Sequence, residues 1–355
     1  MTQRAQQPSF SFTTEEYLAT RFTQLGRQLG LRARSQAELY SWQAELRSRL
    51  RDLIGLGTHR YCELAPELDA IEKCDGYTRQ RVTIAVEPGL RMPLYILRPG
   101  EHSAVASHRV VIATHGHGGG GKESVAGRAE HALIAAAIRQ YHYDYGVQLA
   151  RAGFVVFCPD ARGFGERREA SMLLDNDILG SSCQALNNMA MPLGQTVTGM
   201  LVWDLMRLID YIATRDDCTI ERLACVGLSG GGLQALWLAA LDERVRCAIV
   251  SGYFYGYKDA LLHMNRNCSC NYVPGLWQLA DMGDLAALIA PRRLLIESGT
   301  RDHHNGARGL ENVHEQLAIT RQAYELLGVS DHLAHSVFEG EHRWDGKDAV
   351  AWLDI

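Results

Sequence analysis

Two hydrophobic periods divide the chain. Between residues 35 and 55, apolar positions recur at Leu39, Trp42, Leu46, Leu50 and Leu53. Spacings of three and four put them on one face of a helix. Ser35 with Glu38 makes a capping-box start and Gly55 a stop. Residues 1–60 are therefore expected to form an N-terminal helical extension, suited to pack on the main body, to cover a site or to touch a second subunit. From residue 77 the period changes: "YTRQRVTIAV" and "MPLYIL" alternate like half-buried strands around the turn "EPGL".

Beyond them come compact apolar runs, "RVVIATH", "FVVFCP", "RLACVGL", "RCAIVSG" and "RRLLIES", with "AHSVFEG" as a further strand near the C-terminus. Short Val/Ile/Leu runs separated by helix-length segments imply strands buried on both faces, hence a mainly parallel α/β sheet flanked by helices. No Pro/Gly/Ser linker, repeat or low-complexity tract splits residues 61–355, so they read as one catalytic domain. Two insertions, 163–194 and 252–290, follow strands, where α/β proteins build their sites. The aromatic residues Tyr253, Phe254, Tyr255 and Trp277 of the second are candidates for substrate walls.

Composition changes this picture little. The 355 residues are 46% hydrophobic and 22% charged with a formal net charge of -5, the profile of an ordinary globular protein. Basic residues are dispersed, so neither nucleic acid nor an anionic membrane is an expected partner. No signal-peptide core or long apolar span is evident, and a cytoplasmic location is the expectation. Nine scattered cysteines suit reduced thiols better than a disulfide framework. Only Cys268 and Cys270, in "NCSC", look deliberate; with no second Cys or His pair at finger-like spacing, a structural role is preferred to zinc.

The chemistry centres on "LACVGLSGGGLQAL". Gly227-Leu228-Ser229-Gly230-Gly231 fits G-x-S-x-G between a predicted strand and a predicted helix. In that context the serine is a candidate nucleophile, and the Gly230 amide, at a helix N-terminus, a candidate oxyanion donor. Asp302 and His342 follow in loops after later strands, in the order Ser, Asp, His of this kind of site. His342 would relay the serine proton and Asp302 would orient the imidazole. The loop "THGHGGGGKES" offers the His117 amide, then Gly118, as a second donor, with His115 as a brace.

Competing chemistries are weaker. "GHGGGGK" matches a phosphate loop, but Glu123 stands where a nucleotide site needs Ser or Thr. His115 and His117, with Asp302, His303 and His304, are potential metal ligands, yet glycines follow the first pair where further ligands would be expected.

Taken in order, "HGHGGG", "PDARGFGER", "GLSGGG", "SGYFYGYKD", "NRNCSCNYVPGLW", "APRRLLIESGTRD" and "FEGEHRW" resemble the α/β-hydrolase superfamily, within it the dienelactone hydrolase and acetyl xylan esterase-like group. The resemblance implies an eight-stranded sheet, a serine esterase triad at Ser229, Asp302 and His342, and no cofactor or metal. Dienelactone hydrolases proper use cysteine, so Ser229 shifts the expectation toward hydrolysis of carboxylic esters, acetyl or short-acyl, on a small molecule or carbohydrate. A peptidase or amidase on the same triad, a zinc hydrolase and a non-catalytic binding protein are the alternatives.

Overall fold

The computed structural model describes residues 12–100, 109–170, 177–264 and 267–354. The first eleven residues of the predicted extension, 171–176 of the first insertion, and Asn265 and Arg266 of the second lie outside them. Nine strands make one sheet in the order β1-β2-β3-β5-β4-β6-β7-β8-β9. They are β1 (Glu67–Cys74), β2 (Tyr77–Glu87), β3 (Leu90–Pro99), β4 (Val110–Thr114), β5 (Val155–Pro159), β6 (Ala224–Leu228), β7 (Cys247–Ser251), β8 (Arg293–Gly299) and β9 (Leu333–Phe338). Pairing is antiparallel from β1 to β5 through β3 and parallel from β5 onward.

The sheet thus has one strand more than expected. The additional strand, β1, is an edge strand exposed along nearly its whole length, so it has no burial pattern to betray it. Leu68 and Ile71 face water, and the pairing register with β2 slips between them. What defines it is backbone pairing with β2 across the turn at Asp75 and Gly76, the latter at φ 79°. A D-G turn favours this geometry because glycine adopts positive φ without a Cβ penalty.

The inner strands are short because both faces must be apolar. Along β4, Val110 and Ile112 enter the core on one side of the sheet while Val111 and Ala113 enter the core on the other. One side is packed by the helices Val197–Ala213 and Gly230–Leu241, the other by Tyr145–Arg151.

The helix α1 (Glu15–Leu25) buries no residue completely, whereas α2 (Gln36–Leu53) buries Leu39, Leu46 and Leu50. Ser35 caps α2 by accepting from the Glu38 amide at 3.3 Å, but the Glu38 carboxylate bonds the Arg34 amide rather than that of Ser35. Gln43 is buried on the same face and donates to the carbonyls of Ala287 and Ala290 at 3.0 and 2.9 Å. Between the two helices, Arg27 grips the buried Asp284 with two bonds of 2.8 Å, and the Leu31 amide adds a third. A charge-assisted fork of this kind fixes orientation as well as adding energy.

Candidate active site

Five strands deliver the candidate residues to one edge. The His117 loop leaves β4, Ser229 follows β6, the second insertion follows β7, Asp302 follows β8 and His342 follows β9. Because these strands run parallel, their C-terminal ends coincide, and residues far apart in sequence meet there.

Ser229 has φ 59° and ψ -122°, one of four described non-glycine residues at positive φ. Such a conformation costs on the order of 1–3 kcal/mol and persists only where surrounding structure imposes it. Here its amide bonds the Ser251 carbonyl at 2.9 Å and its carbonyl accepts from Leu233 in the next helix. The flanking glycines make the turn possible: a Cβ on Gly227 would strike the Gly231 backbone, and one on Gly231 the Thr114 carbonyl. The Gly230 amide, first in the helix, has no intrahelical acceptor and is open to an anion.

His342 and Asp302 are paired, with Nδ1 2.7 Å from Oδ2. The second carboxylate oxygen of Asp302 accepts from the His304 amide at 2.9 Å. Burial works against the Asp302 charge, but the bond to His342, the imidazole charge and the His304 amide hold its pKa below the ordinary carboxylate value. The His304 ring stacks edge-on against His342 at 4.5 Å, and burial, with the charge of His342, pushes its pKa down to about 4. His304 is therefore neutral near pH 7. The His342 ring lies against Gly252, whose position a Cβ could not share, since it would come 2.8 Å from Cε1. Gly252, against which that ring packs, and Ser229 both line a cavity of about 280 Å³. The Ser229 hydroxyl has no hydrogen-bond partner among the described residues.

That cavity is also lined by His117, Gly230, Tyr253, Tyr255, Asn267, Cys268, Asn271 and His304. Three expectations need correction. Phe254 is buried in the core and is not part of the cavity wall, which its neighbours Tyr253 and Tyr255 line. Trp277 lines a different, apolar cavity of about 400 Å³ with Leu18 and Phe22 of α1. Gly118, at φ 72°, is not among the residues lining the Ser229 cavity. Conversely, Asn267, Asn271 and His304 were missed; their positions in the second insertion and beside Asp302 were the available signal.

The neighbouring loop has other work. His115 is buried and its Nε2 accepts from the Ala161 amide at 3.0 Å, which braces the loop. Lys122, the would-be phosphate lysine, is fully buried and bound to Asp160 at 2.8 Å and Glu166 at 2.5 Å. Burial disfavours its charge, but Asp160, Glu123 and Glu166 together raise its pKa, so the ammonium is neutralised internally and unavailable to a nucleotide. His117 directs its ring at Cys270, with Nε2 3.6 Å from Sγ, while its amide donates to no other group among the described residues. Cys183, Cys268 and Cys270 gather around that ring.

Known proteins share this architecture. A family described as the α/β hydrolase fold matches residues 112–267. The Bacillus subtilis (strain 168) protein YtaP, named as a hydrolase, is 26% identical over 243 residues, which are 68% of this chain and 74% of that protein. A Bacteroides fragilis NCTC 9343 structure described as an acetyl xylan esterase superimposes with TM-score 0.73 at 16% identity, covering 93% of this chain and 83% of the other. A glucuronoyl esterase from Solibacter usitatus gives TM-score 0.67 at 16% identity, covering 98% and 97%. With the strand order and the strained serine turn between β6 and its helix, these likenesses show that the chain has the α/β-hydrolase fold.

Proposed function

We propose that the protein is a serine-dependent carboxylic ester hydrolase acting on short-acyl, and foremost acetyl, esters. The observation that carries this reading is the 2.7 Å pair of His342 and Asp302 at the sheet edge where Ser229 is held in its strained turn. Asp302 accepts a hydrogen bond from Nδ1–H and holds the proton on that atom, so His342 presents Nε2 as a base. Ser229 Oγ attacks the ester carbonyl carbon, its proton passes to Nε2, and the oxyanion is met by the amides of Gly230 and His117. The imidazolium returns the proton to the departing alcohol, leaving an acyl-enzyme. Water, deprotonated by the same imidazole, then releases the acid and regenerates Ser229.

Substrate size follows from the cavity. At about 280 Å³ it sits at the small end of ligand sites, which run from roughly 300 to 1,000 Å³. Tyr253, Tyr255, Asn267 and Asn271 supply rings and amides, a lining suited to a hydroxylated alcohol portion, and the carbohydrate esterases among the structural neighbours agree with a sugar in that position. An ester panel varying acyl length and alcohol tests the reading alongside a fluorophosphonate probe. Expected are a preference for acetyl over longer acyl chains, labelling of Ser229, and loss of both labelling and hydrolysis in Ser229→Ala. Full activity in that variant overturns the nucleophile; faster cleavage of matched anilides than esters overturns the ester assignment.

A further inference from the structure

Outside the Ser229–His342–Asp302 constellation, the fold gathers four metal-binding side chains that the proposed reaction does not use as ligands. His117, Cys183, Cys268 and Cys270 offer one nitrogen and three sulfurs, all within 4.8 Å of one another. Cys183 and Cys270 are buried, and His117 and Cys268 are half-buried. We propose that these four residues form a tetrahedral site for a divalent ion of the zinc class, built from a Cys3His donor set.

The geometry agrees with that ion. Zn–S bonds of about 2.3 Å and Zn–N bonds of about 2.0–2.1 Å at tetrahedral angles separate an imidazole nitrogen from a sulfur by about 3.6 Å. His117 Nε2 and Cys270 Sγ are 3.6 Å apart. The same arithmetic puts two sulfurs about 3.8 Å apart, so a limit of 4.8 Å over the whole set leaves only a small contraction on binding. Three thiolates and an imidazole are borderline-soft ligands that favour zinc over magnesium or calcium. Supporting contacts are also present: the Asn271 amide donates to the Cys270 sulfur at 3.7 Å and to the Cys268 carbonyl at 3.0 Å, while Thr198 donates to the Cys270 carbonyl at 2.7 Å. Outer donors of this kind hold the ligands and offset thiolate charge.

Binding is balanced by proton release, because each thiol that coordinates gives up its proton to solvent. With four protein ligands the ion has no open position, which makes the site a brace rather than a Lewis acid for the substrate. Its place in the fold gives the brace a purpose. Cys183 begins the helix Cys183–Ala190 of the first insertion, Cys268 and Cys270 belong to the second, and His117 belongs to the loop after β4. One ion would tie together three loops around the Ser229 cavity. Coordination through Nε2 would also keep the remaining ring proton on Nδ1, the atom that faces Gly230, where a Cβ would come within 2.6 Å of it.

Metal content and cobalt substitution test the site without reliance on activity. The full-length chain, produced in zinc-supplemented medium and purified without chelator, is expected to hold one zinc per chain by mass spectrometry of the elements. After removal of that metal, Co(II) is expected to develop tetrahedral ligand-field bands and thiolate charge-transfer absorption that saturate at one equivalent. Cys183→Ser and Cys270→Ser should each reduce the retained zinc at least tenfold. Wild-type protein that is folded, contains less than a tenth of an equivalent of zinc and shows no such bands with Co(II) overturns the proposal. So does a mass two hydrogens light with the thiols joined as a disulfide and no metal bound. Because no readout depends on ester cleavage, a failure here leaves the esterase reading standing, and the reverse is equally true.

Discussion

Replacing Asp302 by Asn probes the proposed charge relay with almost no change of shape. Asp302 is buried, one oxygen 2.7 Å from His342 Nδ1 and the other 2.9 Å from the His304 amide. During attack on the ester, His342 becomes a cation, and with charge centres about 4 Å apart at an effective dielectric of about 20 the carboxylate stabilises it by about 4 kcal/mol. At 1.36 kcal/mol per decade, that is about a thousandfold in rate. A second loss comes from the tautomer. An Asn amide can donate to Nδ1, which leaves the proton on Nε2 and removes the base that Ser229 requires. The expected fall in kcat is therefore about three to four orders of magnitude with KM nearly unchanged. Steady-state hydrolysis of a chromogenic acetyl ester reads the effect, and thermal melting with near-ultraviolet circular dichroism establishes that the fold persists. A folded Asp302→Asn enzyme within tenfold of the wild-type kcat would refute the assignment.

The strain at Ser229 predicts opposite effects on activity and stability. Ser229→Ala and Ser229→Gly both lose the hydroxyl and should both be inactive, but glycine accepts φ 59° without penalty; Ser229→Gly should melt higher than Ser229→Ala, by about 1 kcal/mol in unfolding free energy. Equal denaturant midpoints would mean that the turn stores no strain. A separate pH effect follows from Glu297, buried in β8 with its pKa raised to about 7, chiefly by burial, while a hydrogen bond from the Gly346 amide opposes the shift. The folded state keeps this proton where the unfolded chain has lost it, so the contribution to stability is full below about pH 4.5 and lost as pH rises through about 7, roughly 3 kcal/mol in all. Glu297→Gln should flatten that decline in urea titrations between about pH 5 and 8; an unchanged slope would show that Glu297 does not titrate across this window.

Legibility followed burial and periodicity. The inner strands β4 to β8 were readable because a strand covered on both faces must be an unbroken apolar run; the candidates Ser229 and Asp302 each sit just after such a run, whereas His342 follows β9, which is only partly buried. The edge strand β1 was not readable, since neither face meets the core. Tyr253 and Tyr255 reach the cavity while Phe254 between them does not, a matter of side-chain direction that composition does not carry. Trp277 was misassigned because the second insertion folds back toward α1, so part of its aromatic content packs against Phe22 in a tilted contact, with ring centroids 5.6 Å apart, instead of lining the Ser229 cavity.

The sequence by itself determined the parallel α/β sheet, the turn that strains Ser229 and the order in which its candidate partners follow, because each is encoded in a local run of residues. The tertiary structure alone decided which distant groups meet. The Cys268-x-Cys270 pair lacked partners as a sequence motif, yet the fold brings Cys183 and His117 to it, the latter from 153 residues earlier in the chain. Parallel strands end at a common edge, and loops leaving that edge can converge from any separation; spacing along the chain carries no record of that convergence.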